Sequence, residues 1–129
     1  MKKGNKKGFT LVELLVVIAI LAILATVSVV GYSSFTQKAR DSRAQQELTQ
    51  IHSYIYAADI NDDSFAFTAD GIEFATAPAD AAAAAAALKT AVGADWEFEG
   101  TLTVELDADK NVVKLIYNVD GGNATLALD

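Results

Sequence analysis

The chain has 129 residues, enough for one domain, and 52% of them are hydrophobic against 21% charged, a balance too apolar for disorder. It contains no cysteine, which excludes a disulfide framework, a metal-thiolate site and a thiol nucleophile. The formal charge of −7 hides an asymmetry: four of the ten basic residues lie in the first eight positions, and the remainder carries six basic against seventeen acidic residues, a net −11. From Asn61 onward thirteen acidic residues face three basic ones, so this half repels nucleic acid and anionic membrane surfaces.

Residues 1–8, MKKGNKKG, are basic and end in glycine, and an apolar run follows directly. No A-x-A-like site stands at the end of that run, so the apolar segment is expected to be retained rather than removed as a secretory signal. From Leu14 to Val30 no charge occurs, and these 17 residues extend roughly 25 Å as a helix. With Phe9 to Val12 added the segment can span a bilayer. The lysines before it predict a cytoplasmic N-terminus, with everything after Gly31 on the far side.

Glu13 is the residue that a plain membrane anchor leaves unexplained. A carboxylate in such a segment costs about 2.5 to 3.5 kcal/mol on insertion scales. No lysine or arginine occurs between Gly8 and Lys38, so a cut between Gly8 and Phe9 would supply the nearest cation, a new α-amino group four residues from Glu13 or on a neighbouring copy. The plainer alternative is that Glu13 snorkels to the headgroups. Small residues recur every third position at Ala19, Ala22, Ala25, Ser28 and Gly31 and form a slanted ridge on which helices could approach closely.

The string Lys7, Gly8, Phe9, Thr10, Leu11, Val12, Glu13 resembles the type III signal of type IV prepilins and pseudopilins. The resemblance implies a prepilin peptidase that cuts after Gly8 and methylates the amine of Phe9. It also implies that Glu13 pairs with a Phe9 amine during assembly, while the apolar helix packs as the core of a helical homopolymer. Two departures stand out: Val30 and Gly31 occupy the place where many relatives carry a proline, and the cysteine pair that closes many heads is absent. Pilus or secretion assembly machinery would be the further partner, and no cofactor is implied. The expected location is a single-pass membrane precursor with its head outside, then a filament at the cell surface.

Nothing breaks a helix from Tyr32 to Ala58, so one helix of 50 residues, Phe9 to Ala58, is predicted, about 75 Å long. Leu48, Ile51, Ile55 and Ala58 form one apolar stripe to pack on the head. Lys38, Arg40, Asp41, Arg43 and Glu47 read as a solvated face, with ion pairs to a neighbouring subunit as the alternative. His52 stands alone as a surface or half-buried imidazole.

Asn61 to Ser64 end the helix in turn chemistry. Phe65 to Thr68 and Ile72 to Phe74 predict a small hairpin or an irregular loop. A second helix follows, with Pro78 in its first turn, Asp80 near its positive end, the alanine tract Ala81 to Ala87, and Gly93 as its cap. Beyond it the period becomes two. Trp96, Phe98, Leu102, Val104 and Leu106 share one parity, broken at Gly100; Val113, Leu115, Tyr117 and Val119 share the next, and Leu126 with Leu128 closes the chain. Turns at Asp107 to Asn111 and Asp120 to Asn123 separate the strands.

The expected fold is therefore α+β: a long N-terminal helix, packed at its C-terminal half on a small antiparallel sheet, with a second short Ala-rich helix. Its parts are a leader of residues 1–8, a span of 9–31, a helical continuation of 32–60 and a head of 61–129. No P-loop, G-x-S-x-G or dinucleotide fingerprint occurs, so no enzyme is expected. Asp59, Asn61, Asp63 and Asp70 echo a calcium loop, but Ser64 replaces its glycine and the plain reading is a helix-ending turn. Asp107, Asp109 and Asn111 fit such a loop still less well, since Val112 stands where the glycine belongs. Asn123, Ala124, Thr125 matches a glycosylation sequon by pattern alone. The function expected is a structural subunit of a type IV pilus. The alternatives are a pseudopilin of a type II secretion or competence machine and, from another class, a single-span membrane-anchored binding module.

Overall fold

A computed structural model describes residues 8–61 and 63–129. Helix α1 runs Leu11–Asp59, followed by strands β1 (Phe65–Thr68) and β2 (Gly71–Phe74), helix α2 (Ala81–Val92), a single 3-10 turn (Gly93–Asp95), and strands β3 (Thr101–Leu106), β4 (Val112–Val119) and β5 (Gly122–Ala127). Long helix, short helix and small antiparallel sheet together make the predicted α+β layout. The chain divides into two units between Thr36 and Gln37.

In the first unit the helix stands alone, and every large apolar side chain from Phe9 to Phe35 is exposed. The two hydroxyls within its most apolar stretch return to the backbone, Thr26 Oγ1 donating to Ile23 O and Ser28 Oγ to Leu24 O, both at 2.7 Å. That internal pairing is what a segment without access to water requires.

The second unit holds the core. Ala44, Leu48, Ile51 and Ile55 of α1 are fully buried against Ile72, Val104, Val112, Leu115, Tyr117 and Ala124 of the sheet and Ala84, Leu88 and Val92 of α2. Fully buried leucine and isoleucine side chains contribute about 1.5 to 3 kcal/mol each. The predicted stripe thus begins one turn earlier, at Ala44, whose small side chain gave no periodic signal, and Ala58 is only half-buried.

Strands β3, β4 and β5 form the predicted antiparallel meander, with β4 in the centre. The β1–β2 segment is a hairpin, and it joins the sheet where Ile72 pairs with Val112, on the edge of β4 that β5 leaves free. Three sequence expectations need correction. Trp96 and Phe98 pack on the core but lie outside any strand, because the pairing of β3 with β4 is exhausted at Thr101 opposite Asn118 and no ladder partner remains. In β4 Val112 is fully buried in place of Val113, because a bulge sets Glu105 opposite Lys114 but Leu106 opposite Val112 and so reverses the parity. Pro78 precedes α2 instead of opening it: Asp80 is extended and its Oδ1 accepts from Ala83 N at 2.8 Å, which starts the helix at Ala81. The N–H of Gly93 donates to Lys89 O and closes its end.

Candidate functional site

Gly8 and Phe9 precede α1, and both are exposed; among the described residues nothing lies within 4 Å of where a Cβ on Gly8 would be. The rest of the expected leader, residues 1–7, lies outside the described residues. The helix begins with a reciprocal pair: Thr10 N donates to Glu13 Oε2 and Glu13 N donates to Thr10 Oγ1, each at 3.2 Å. Leu14 N then donates to Thr10 O as the first helical bond. This is a capping box, T-x-x-E before an apolar run, in which two backbone donors that no intrahelical partner could serve are satisfied by the two side chains. The pattern is legible in Thr10, Leu11, Val12, Glu13, where the unusual charge of Glu13 masks its capping role. Cap and charge are compatible, since one carboxylate accepts more than one donor.

Beyond this turn, an 18-residue window of α1 has a mean hydropathy of 3.0 with none of it buried, so the helix is long and apolar enough to cross a membrane. Ala19, Ala22, Ala25, Ser28 and Gly31 all lie on the helix and all are exposed; Gly31 sits within it, with open space for 4 Å around the place a Cβ would take.

The residues that end α1 are drawn into local bonds. Asp59 Oδ2 accepts from Phe67 N at 3.5 Å, and Asn61 donates to Ala58 O from its backbone and to Ala57 O from its side chain. Asp63 is an exposed turn residue, Asp70 lies in the β1–β2 turn, and Asp62 is outside the described residues. Among the described residues no three of His, Cys, Asp and Glu are grouped to hold a metal ion. Asp107 Oδ1 accepts from the backbone of Asp109 and Asn111, a closed turn of its own. His52 is half-buried, edge-on to Phe67 at 5.5 Å. Asn123 and Thr125 of the sequon are both exposed on β5.

A further cluster fixes the head to its helix, and the sequence did not show it. Tyr117 Oη donates to Glu47 Oε2 at 2.6 Å and accepts from Gly100 N at 2.9 Å. Arg43 binds Glu47 at 2.9 Å, Glu99 at 3.5 Å and Asp120. Two residues before Arg43, Asp41 accepts from Asn123 N and from Gln37, which also donates to Gly121 O. Asp41, Arg43 and Glu47 are therefore not a bare solvated face; they bond within the chain. Only the Arg43–Glu47 pair, four apart on a helix, was readable in advance.

Burial, with Glu47 as acceptor of its proton, pushes Tyr117 up to about 12 from an ordinary value of 10. The unfolded chain then loses this proton first, so the contribution is complete below pH ~10 and is lost as pH rises toward ~12. Stability is expected to fall by up to roughly 1.4 kcal/mol per unit in that window, a component that Tyr117→Phe lacks. Ultraviolet phenolate titration of the detergent-solubilised chain checks the origin: a tyrosine that ionises only near pH ~12 is expected, and Tyr117→Phe should lack it. Four tyrosines ionising together would remove the clamp.

With an α+β layout behind an exposed apolar helix that opens on Gly8, Phe9 and Glu13, the chain has the build of a membrane-anchored precursor with a pilin-like plan. Compared with known families, it matches the prokaryotic N-terminal methylation motif over residues 3–29, the signal of type IV prepilins and pseudopilins. The match lies in the N-terminal segment alone, and it is consistent with processing by a prepilin peptidase. No curated protein and no solved structure matches the chain.

Proposed function

We propose that this protein is the structural, non-catalytic subunit of a type IV pilus, cut between Gly8 and Phe9, methylated on Phe9, and polymerised through α1 into a surface filament. The observation that supports this most is the fully exposed apolar half of α1 beginning at the methylation motif. An apolar surface of that extent is stable only in a bilayer or against copies of itself, and a filament core satisfies it after it leaves the membrane. The small residues Ala19, Ala22, Ala25, Ser28 and Gly31 are the positions at which neighbouring helices would come closest. Immunolabelled electron microscopy of expressing cells tests the reading: long fibres carrying the head are expected, and their absence beside a correctly cut chain in the membrane would favour a pseudopilin of a secretion or competence machine.

In this reading Glu13 serves two ends, capping its own helix and offering negative charge to a Phe9 amine. Glu13→Gln separates them, because glutamine also completes the capping box but carries no charge. The variant is expected to be cut normally and to remain in the membrane, with a loss of fibre incorporation of about tenfold or more. Fibres at the native level would leave Glu13 with the cap alone.

A further inference from the structure

Strand β3 ends the sheet, since among the described residues it pairs with β4 alone. In an antiparallel ladder the N–H and C=O of one residue turn to the same side, and successive residues alternate. Asn123 N donates to Asp41, so Asn123 turns away from β4, and its opposite number Asn118 turns toward β3. Thr101, Thr103 and Glu105 therefore bond β4, and Leu102 and Val104 present their N–H and C=O groups to the open side. No partner for these groups occurs among the described residues. Proteins blunt such an edge with charge, proline or a bulge. Here the bulge and the Lys114–Glu105 pair come at the far end, which leaves Thr101 to Val104 open to pairing.

Helix α2 and β3 line a cavity of about 440 Å³, the size of a ligand pocket. Ala82, Ala85 and Ala86 form its helical wall and Thr101, Leu102 and Thr103 its strand wall, with Lys89 and Trp96 completing it. Two features decide what it takes. The head is strongly acidic, and of its three lysines Lys114 is held by Glu105 and Lys110 donates to Ala79 O. Lys89 has no carboxylate partner among the described residues, and its ammonium rests 5.5 Å from the centre of the Trp96 ring. Trp96 Nε1 is itself buried without a hydrogen-bond acceptor. A free cation and an unmet indole donor in one wall call for a carboxylate. We propose that this groove binds an extended peptide segment of another protein, which adds a strand to β3 at Leu102 and Val104 and sets an acidic side chain on Lys89. A small acid would use Lys89 and leave the edge unpaired. The β3 strand of a second copy would arrive with its only carboxylate, Glu105, already held by its own Lys114. The groove lies wholly within the second unit, so the proposal does not depend on the filament reading.

Trp96 is the chain's one tryptophan and lies in the groove, so its fluorescence reports binding to the full-length protein in detergent. The probe is a short synthetic peptide in which threonine and valine alternate before a glutamate with an amidated C-terminus. A saturable change in Trp96 emission is expected, with backbone amide exchange slowed at Leu102 and Val104. Glutamine in place of the peptide's glutamate, or Lys89→Gln in the protein, should each weaken binding about tenfold, and the two together no further. Two N-methylated peptides, one modified on the valines and one on the threonines, cover both registers, and at least one should lose binding by about tenfold or more. Absence of saturable binding, indifference to Lys89→Gln, or equal binding of all three peptide backbones overturns the proposal. So does slowed exchange at Leu102 and Val104 in the protein alone as it dimerises, which would give the edge to a second copy.

Discussion

Gly8→Val is expected to leave an uncut chain in the membrane and no fibres at all, the largest effect of any single substitution here. The structure supplies the reason for assigning that loss to processing. Among the described residues nothing occupies the space where a side chain at position 8 would go, and Gly8 precedes the helix, so the described fold makes no demand for glycine there. In the proposed reading, the need for glycine lies in the peptidase that must accommodate it. An uncut chain also keeps Lys2, Lys3, Lys6 and Lys7 at the foot of its apolar helix. Each lysine drawn into an apolar core costs about 2.5 to 3.5 kcal/mol even on insertion scales, which opposes polymerisation independently of any missing amine. Intact-mass measurement of the membrane fraction checks this: native protein should begin at Phe9 and the variant at Met1, with the same thermal transition for the head. A native mature chain beginning at Met1 would end the processing argument.

Gly122→Ala is expected to destabilise the head by about 3 kcal/mol, the upper end of what overpacking usually costs. A Cβ at this position would run into the backbone carbonyl of Arg40 on α1, which cannot swing aside as a side-chain tip could. The β4–β5 hairpin is pressed onto the helix there by three ties: Arg43 to Asp120, Gln37 to Gly121 O, and Asp41 to Asn123 N. Asp120 and Gly121 both have positive φ, at 48° and 81°, the two-residue turn that suits a twisted hairpin. The turn can therefore not be re-formed to make room. Near-ultraviolet circular dichroism of Trp96 during denaturation of the full chain in detergent measures the change, with Gly31→Ala as the comparison. That glycine is helical and has open space around it, so alanine should be neutral or slightly stabilising. Equal transitions for both variants would show that the hairpin does not bear on the helix.

Local signals carried most of the architecture. The ends of α1 came within two residues of Phe9 and Ala58, since turn chemistry from Asn61 on leaves a helix little choice. The alanine tract with its aspartate before and glycine after placed α2, and alternation placed β3, β4 and β5. What failed did so where a residue's setting depended on a distant strand. Val113 alternates correctly with Leu115 and Tyr117, yet a bulge opposite Leu106 gives the buried place to Val112. Trp96 and Phe98 alternate with Leu102, yet β4 has no length left to pair with them.

The sequence by itself determined the elements, the apolar segment, the methylation motif and the acidity of the head, because each rests on interactions between residues a few positions apart or on composition. Even the Thr10–Glu13 cap was within its reach. Only the tertiary structure decided what the charged stretch of α1 does. Arg43 and Glu47 meet Asp120, Glu99 and Tyr117 from more than fifty positions away, and no local pattern encodes which residues a folded sheet will bring to a helix.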